Sequence, residues 1–325
     1  MRLFAPAASR AFGEAVATAL GRALDPLEER DFEDGEHKIR PLTGVRGAEA
    51  FVIQGLHGGP EESPNDKLCR LIFLAGALRT NGAARVAAVV PYLAYARKDR
   101  QTKPRDPLTL RYVAELVEAA GIARLVTLEV HDLAAFQNAF RRETVALDAR
   151  GVLLDRAAAL AGDGHVAVLS PDPGGVKRAQ LFREALEARL GREVGTGLVE
   201  KRRSAGVVTG GRLTGDVAGA RVLVLDDLVA SGGTMVRAAR AALEAGAQEV
   251  HALAMHGLFT GGARAALADP SLAGWVVSDT VPPFRLDGTP EAARVETVSA
   301  APLVAETIRR LASGGEVSEL ISGGS

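Results

Sequence analysis

The chain of 325 residues has a single cysteine, Cys69, which rules out an internal disulfide framework and fits a reducing cytoplasm. Charge of either sign is not in excess. Lys and Arg number 39 against 40 Asp and Glu, a net charge of -1, so neither nucleic acid nor a membrane surface is expected as a partner. No apolar run approaches the length of a membrane span. The stretch Met1-Arg2-Leu3-Phe4-Ala5-Pro6 lacks the apolar region of a signal peptide. The dipeptide Gly-Lys is absent, which excludes a Walker-type phosphate loop. What remains is a soluble globular composition, 47% hydrophobic and 24% charged, in a chain long enough for two domains with cores of their own. Cys69 lies in Lys67-Leu68-Cys69-Arg70-Leu71-Ile72-Phe73-Leu74, which reads as an apolar helical face. Core packing, not nucleophilic chemistry, is its expected role.

Short apolar runs alternate with helical patterns throughout. Expected strands are Ala50 to Gln54, Val86 to Pro91, Leu125 to Val130, Val166 to Leu169, Glu249 to Met255 and Trp275 to Ser278. Expected helices are Ser9 to Leu24, Leu108 to Gly121, Gly151 to Leu160, Val176 to Leu190 and Ala301 to Ser313. A further helix starts at Pro64, with Asn65 or Asp66 as its cap, and stops at Asn81-Gly82. Residues 195–220 are rich in Gly and Thr and read as a strand, a loop and a short hairpin. The alternation predicts an α/β fold with parallel sheets.

One stretch stands apart. Arg221-Val222-Leu223-Val224-Leu225 reads as a buried parallel strand, and Met235 to Ala245 as a helix stopped by Gly246. Between them lie Asp226-Asp227 and the small residues Ala230-Ser231-Gly232-Gly233-Thr234. Backbone N–H groups of such a turn, backed by a helix N-terminus, form an anion site. Carboxylates beside a phosphate cradle repel phosphate. They make sense if they accept hydrogen bonds from sugar hydroxyls or act through a metal. A ribose phosphate satisfies both halves.

This strand, Asp-Asp, Ser-Gly-Gly-Thr, helix order resembles the loop that type I phosphoribosyltransferases share with ribose-phosphate pyrophosphokinase. Other stretches resemble the second of these, in its order and over nearly the whole chain. They include Phe32-Glu33-Asp34-Gly35-Glu36, Asn65-Asp66-Lys67-Leu68, Pro91-Tyr92 through Tyr95-Ala96-Arg97-Lys98-Asp99-Arg100, and Thr127-Leu128-Glu129-Val130-His131. Ser170-Pro171-Asp172-Pro173-Gly174-Gly175, Lys201-Arg202-Arg203 and Ser278-Asp279-Thr280-Val281-Pro282 follow.

The resemblance implies two tandem type I phosphoribosyltransferase-like domains, each a mainly parallel sheet flanked by helices. These would be residues 1–148, completed by the C-terminal segment 301–325, and residues 149–300. It implies transfer of the β,γ-pyrophosphoryl group of ATP to the C1 hydroxyl of ribose 5-phosphate, with release of AMP. Phe32, Asp34, Gly35 and Glu36 would read adenine, and Arg97, Lys98 and Arg100 would bind ATP. His131 and Asp172 would hold Mg²⁺, directly or through water. Asp172, Pro173, Gly174 and Gly175 would take pyrophosphate. Asp226, Asp227, Ala230, Ser231, Gly232, Gly233 and Thr234 would bind ribose 5-phosphate. Lys201 and Arg203 would be catalytic. In an extended segment they share a face, and their charge would stabilise the transferring group.

In the family the adenine segment reaches the ATP site of a neighbouring subunit. A homo-oligomer is therefore expected, a hexamer built from dimers, with a dimer or tetramer as the alternative. Departures from the family pattern are Ala230 for an acidic residue, Lys98 for Gln and Glu129 for Asp. Two other functions compete. A phosphoribosyltransferase has no use for an adenine segment in a preceding domain or for Lys201-Arg202-Arg203. A non-catalytic regulatory homologue would not need to keep Asp226, Asp227, Lys201, Arg203, His131 and Asp172.

Overall fold

Runs of Val, Ala and Leu that are apolar on both faces build two separate sheets. The computed structural model describes residues 1–204 and 207–322, with side chains for residues 1–199 and 212–321. The chain divides into two compact units, Met1–Asp148 with Ala300–Ser325, and Ala149–Ser299.

The first unit opens with β1 (Arg2–Phe4) and α1 (Arg10–Ala19), then a hairpin of β2 (Leu27–Asp31) and β3 (His37–Pro41). There follow β4 (Glu49–Ile53), α2 (Pro64–Thr80), β5 (Arg85–Val90), α3 (Thr109–Ala119), β6 (Arg124–Leu128), α4 (Leu133–Ala139) and β7 (Glu143–Leu147). The sheet order is β1-β4-β5-β6-β7, and every pair is parallel. The strands β4, β5 and β6 are buried almost end to end. Such strands suit a sheet covered on both faces.

The second unit contains α5 (Arg150–Ala161), β8 (Val166–Ser170), α6 (Val176–Leu190), β9 (Gly195–Ser204), β10 (Val207–Gly215) and β11 (Arg221–Val229). It continues through α7 (Gly233–Glu244), β12 (Glu249–Gly257), α8 (Ala263–Leu267), β13 (Gly274–Ser278) and β14 (Val295–Val298). Its order is β10-β9-β8-β11-β12-β13-β14, parallel except for the antiparallel edge pair β9–β10. The chain then returns to the first unit with α9 (Ala301–Ser313), which packs on α1, and α10 (Ser318–Ser322). The amide of Asp148 donates to the carbonyl of Leu320 at 3.1 Å.

Two mainly parallel sheets flanked by helices are what the strand–helix alternation requires. Several local expectations need correction. The cap of α2 is Ser63, not Asn65 or Asp66. Its hydroxyl accepts from the Asp66 amide, and the Asp66 carboxylate accepts from the Ser63 amide in return. Such a box is worth about 1 kcal/mol. Cys69 is exposed, because α2 turns Lys67, Leu68, Arg70 and Leu71 inward and leaves position 69 outside. Strands β9 and β10 pair antiparallel from Gly197 with Gly215 to Ser204 with Val207, where a strand, a loop and a short hairpin are expected. No helix among the described residues is long and apolar enough to cross a membrane.

Candidate active site

The second unit builds its site at a fork. Strand β11 pairs with β8 only from Arg221 to Val224, yet stays paired with β12 out to Val229. From β8 the chain crosses to β9 on one side, and β11 lies on the other. The carboxyl ends of β8 and β11 therefore flank a topological switch point, where open α/β sheets bind ligands. Asp226 and Asp227 lie inside β11, further along the strand than its apolar run suggested.

Asp227 is only 5% exposed. Arg178, two residues into α6, places Nη1 3.4 Å from Asp226 Oδ1 and Nη2 3.9 Å from Asp227 Oδ2. One guanidinium thus faces two carboxylates. Burial, and then the charge of Asp227 beside it, pushes the Asp226 carboxyl up from 3.8 to about 7. Sequence reading missed Arg178, because Lys177-Arg178 at a helix start looks like a solvated pair. The Gly-Gly turn just before it was the signal available.

That turn follows β8. The carboxylate of Asp172 accepts from the Gly174 amide at 3.0 Å, and the Ser170 hydroxyl donates to the Asp172 carbonyl at 2.7 Å. A Cβ at Gly175 would stand 2.8 Å from Ser170 Oγ, so a side chain there would open the turn. Asp172, Pro173, Gly174 and Gly175 thus lead into the helix that carries Arg178, and Arg178 ties this turn to the acid pair.

On the other side of the fork, Ala230 to Thr234 lead into α7. Gly232 has φ +75° and no side chain caps the helix, so its first N–H groups have no capping side chain. The loop is anchored by the Thr260 amide, which donates to the Ala230 carbonyl at 2.9 Å. Arg237 Nη2 donates to Thr234 Oγ1 at 3.0 Å. Ser231 is exposed, and Gly233 and Thr234 are half-buried.

In the first unit, Phe32 to Glu36 form the tip of the β2–β3 hairpin. The tip lines an open depression of about 550 Å³ together with Arg30 and Asp31. Phe32 is exposed, the Glu36 amide donates to Asp34 Oδ1 at 3.1 Å, and Gly35 sits at φ +88°. Arg97 and Arg100 are exposed after β5. Lys98 is tied to its own loop: Nζ lies 2.6 Å from Asp106 Oδ2. That hydrogen bond and one from Thr102 hold the Asp106 carboxyl well below the usual range.

His131 is exposed and three residues beyond the end of β6, not at the strand end, because Glu129 turns the chain at φ +41°. It belongs to the first unit and Asp172 to the second. No group of three or more His, Cys, Asp or Glu that could hold a metal occurs among the described residues. The side chains of Lys201 and Arg203, on β9, lie outside the described residues.

The fork has a consequence that pH can test. The raised carboxyl of Asp226 favours the fold fully below about pH 4, and that contribution is lost as pH rises through about 7. Ribose hydroxyls, which the resemblance implies as partners of Asp226, bond more strongly to the ionised carboxylate than to the neutral acid. On that reading KM for ribose 5-phosphate should fall as pH rises from 6 to 8. The ligand's own phosphate titrates near about 6, so the decisive comparison is Asp226→Asn. It should raise KM at pH 8 and remove the part of the pH dependence centred near 7. Steady-state kinetics at fixed saturating ATP would check this.

Residues 1–121 match the family model described as the N-terminal domain of ribose phosphate pyrophosphokinase, and residues 209–322 match the phosphoribosyl synthetase-associated domain. A ribose-phosphate pyrophosphokinase of Caldanaerobacter subterraneus subsp. tengcongensis is 35% identical over 99% of this chain and 98% of its own. One from Brucella melitensis is 36% identical over 98% of this chain and 99% of its own. The crystal structure of phosphoribosylpyrophosphate synthetase from Mycobacterium smegmatis superposes with a TM-score of 0.86 at 31% identity, over 97% of this chain and 99% of that one. Likeness that runs the full length in sequence and in fold places the chain in the ribose-phosphate pyrophosphokinase family.

Proposed function

We propose that the chain transfers the β,γ-pyrophosphoryl group of ATP to the C1 hydroxyl of ribose 5-phosphate, giving phosphoribosyl pyrophosphate and AMP. The observation that carries the reading is the fork in the second unit. There Arg178, on the helix that follows the Asp-Pro-Gly-Gly turn, meets a pair of acids, and the strand that carries those acids leads into a glycine turn at a helix N-terminus. The 5-phosphate would sit on the amides of Ser231 to Thr234, with its charge favoured by the end of α7. Asp226 and Asp227 would accept from the ribose hydroxyls, and Ala230 would leave that side open. Residues Asp172 to Gly175 would take the transferred pyrophosphoryl group on backbone N–H donors.

In the reaction the C1 oxygen attacks the β-phosphorus. The bond from that phosphorus to the α,β-bridging oxygen breaks, and AMP leaves with the oxygen. Phe32 to Glu36 would hold adenine, with Phe32 stacking and Asp34 and Glu36 accepting. Arg97 and Arg100 would meet the ATP phosphates. Lys98, already paired with Asp106, would act there through the shape of its loop. Lys201 and Arg203 would stabilise charge on the transferring group.

Mg²⁺ suits the donors. Two carboxylates at the fork meet one guanidinium. A hard cation that takes carboxylate and phosphate oxygens answers that shortage of positive charge. The resemblance implies that Asp172 and His131 hold it, directly or through water. When bound, the ion would neutralise phosphate charge. A cytoplasmic location goes with this reading. The direct experiment is incubation with Mg²⁺, ATP and ribose 5-phosphate, following AMP. Formation equimolar with phosphoribosyl pyrophosphate is expected, and its absence would reject the activity.

Part of the proposal is a homo-oligomer, a hexamer built from dimers, in which the Phe32–Glu36 tip of one subunit serves the ATP site of another. Mixing the double variant Asp34→Ala, Glu36→Ala with Lys201→Ala should then restore activity to two inactive preparations. Only subunits that exchange tips would assemble intact sites. No recovery after confirmed subunit exchange would mean that each chain carries a complete site.

A further inference from the structure

The β2–β3 hairpin stands outside the five-stranded sheet and forms a two-stranded sheet of its own. Two strands alone are marginal in water. What lies under the hairpin therefore decides where its tip points. Ile39 and Leu27 root it in the core of the first unit. Nearer the tip, two residues of α2 hold it. The His37 ring on β3 stacks on Phe73, with centroids 5.2 Å apart and planes 25° apart. One helical turn earlier, on the same face, is Arg70.

Arg70 is only 6% exposed. Three carboxylates surround it. Asp31 on β2 accepts a hydrogen bond from Nη2, Glu62 Oε1 lies 3.2 Å from Nε, and Glu29 Oε2 on β2 lies 3.9 Å from Nη1. The pleat of β2 turns Glu29 and Asp31 toward this guanidinium. Arg30 faces the other way, with its guanidinium carbon 5.0 Å from the centroid of the Phe32 ring. A planar fork of five donors meets three acids in fixed directions, whereas a lysine offers one rotatable point charge. Burial raises the Glu62 carboxyl, and the charge of Arg70 is the strongest influence opposing that rise. The last residue of β2 that Arg70 grips, Asp31, directly precedes Phe32.

We propose that Arg70 is a positioning residue for nucleotide selection. It fixes the direction of the hairpin tip, and with it the preference for ATP over other nucleoside triphosphates. The inference rests on the reading of Phe32 to Glu36 as the adenine segment. Arg70 touches no substrate. It acts through Glu29 and Asp31 on the strand that ends at the segment.

The test uses the full-length enzyme in its native assembly and three variants. Arg70→Met keeps the stem and removes the charge. Arg70→Lys keeps the charge and loses the fork. Phe32→Ala probes the segment itself. KM and kcat are measured with ATP, with GTP and for ribose 5-phosphate, alongside thermal melting. Arg70→Met should raise KM for ATP about tenfold and lower the ATP-over-GTP ratio of kcat/KM by a similar factor, as a misplaced positioning group does. KM for ribose 5-phosphate should stay within about twofold, and Arg70→Lys should fall between Met and the parent. An unchanged ATP-over-GTP ratio, or an equal loss for both substrates with a lower melting temperature, would overturn the proposal. Should Arg70→Met not fold, the same comparison on Arg70→Lys decides. If Phe32→Ala leaves ATP binding intact, the adenine reading falls and the inference with it. If Phe32→Ala weakens ATP binding and Arg70→Met does not, only the inference falls.

Discussion

Lys201→Ala is expected to lower kcat by about two or more orders of magnitude, the loss seen when one preorganised charge aimed at a transition state is removed. Transfer of a pyrophosphoryl group asks little covalent help from a protein, so charge and alignment carry most of the rate. Attack on the β-phosphorus spreads negative charge over its oxygens, and Lys201 and Arg203 are proposed to meet that charge. Ribose 5-phosphate should bind nearly as before, because its phosphate is assigned to the Ser231–Thr234 turn at the start of α7. The variant should therefore show a large fall in kcat and a small change in the ribose 5-phosphate KM. Arg203→Ala should move in the same direction. A near-normal kcat for Lys201→Ala would remove that residue from the catalytic machinery.

Gly232→Ala is the second large effect. The residue sits at φ +75°, where an L side chain costs about 1–2 kcal/mol. Space is the greater difficulty. A Cβ there would lie 2.7 Å from the Ala266 Cβ and 3.1 Å from the buried Trp275 ring. Neither can retreat easily, since Ala266 is on α8 and Trp275 is 1% exposed on β13. Overpacking of this kind costs about 1–3 kcal/mol. The two terms together predict about 2–5 kcal/mol lost in unfolding free energy. Relief by shifting the loop would move the amides proposed to hold phosphate, so KM for ribose 5-phosphate should rise at least about tenfold. Denaturant titration reads the first effect and initial-rate kinetics the second. A variant with the parent's stability and KM would show that the turn tolerates a side chain, against the contacts described.

Long apolar runs made most of the fold legible. Val166–Ser170, Arg85–Val90 and Arg221–Val224 announce buried parallel strands, and Val176–Leu190 and Ala301–Ser313 read as helices with the bounds observed. Elements without such runs went unread. The strand β14, Val-Glu-Thr-Val, is half polar at a sheet edge, and β7 with the short α4 before it has a similarly mixed pattern. The acid pair reads as part of a loop because two Asp residues end an apolar pattern. Backbone pairing with β12 keeps them in the strand all the same. Local pattern does not single out Ser63 as the cap, because Asn65 and Asp66 are equally favourable capping residues. Only the reciprocal bond with Asp66 identifies it. Arg178 and Arg70 share one reason for silence. Their partners lie 48 and 39 residues away, and no local pattern announces an ion pair closed by the fold.

The return of α9 to the first unit sets an order of assembly. Residues 149–299 intervene between the body of that unit and the segment that completes it. A ribosome adding about 5–20 residues per second needs roughly 8–30 s to cross them. Through that interval the emerging first half has the surface of α1 on which α9 packs still uncovered. The second unit, continuous in sequence, can close before the first. The first unit, although it begins the chain, is thus the last to have all of its own segments synthesised.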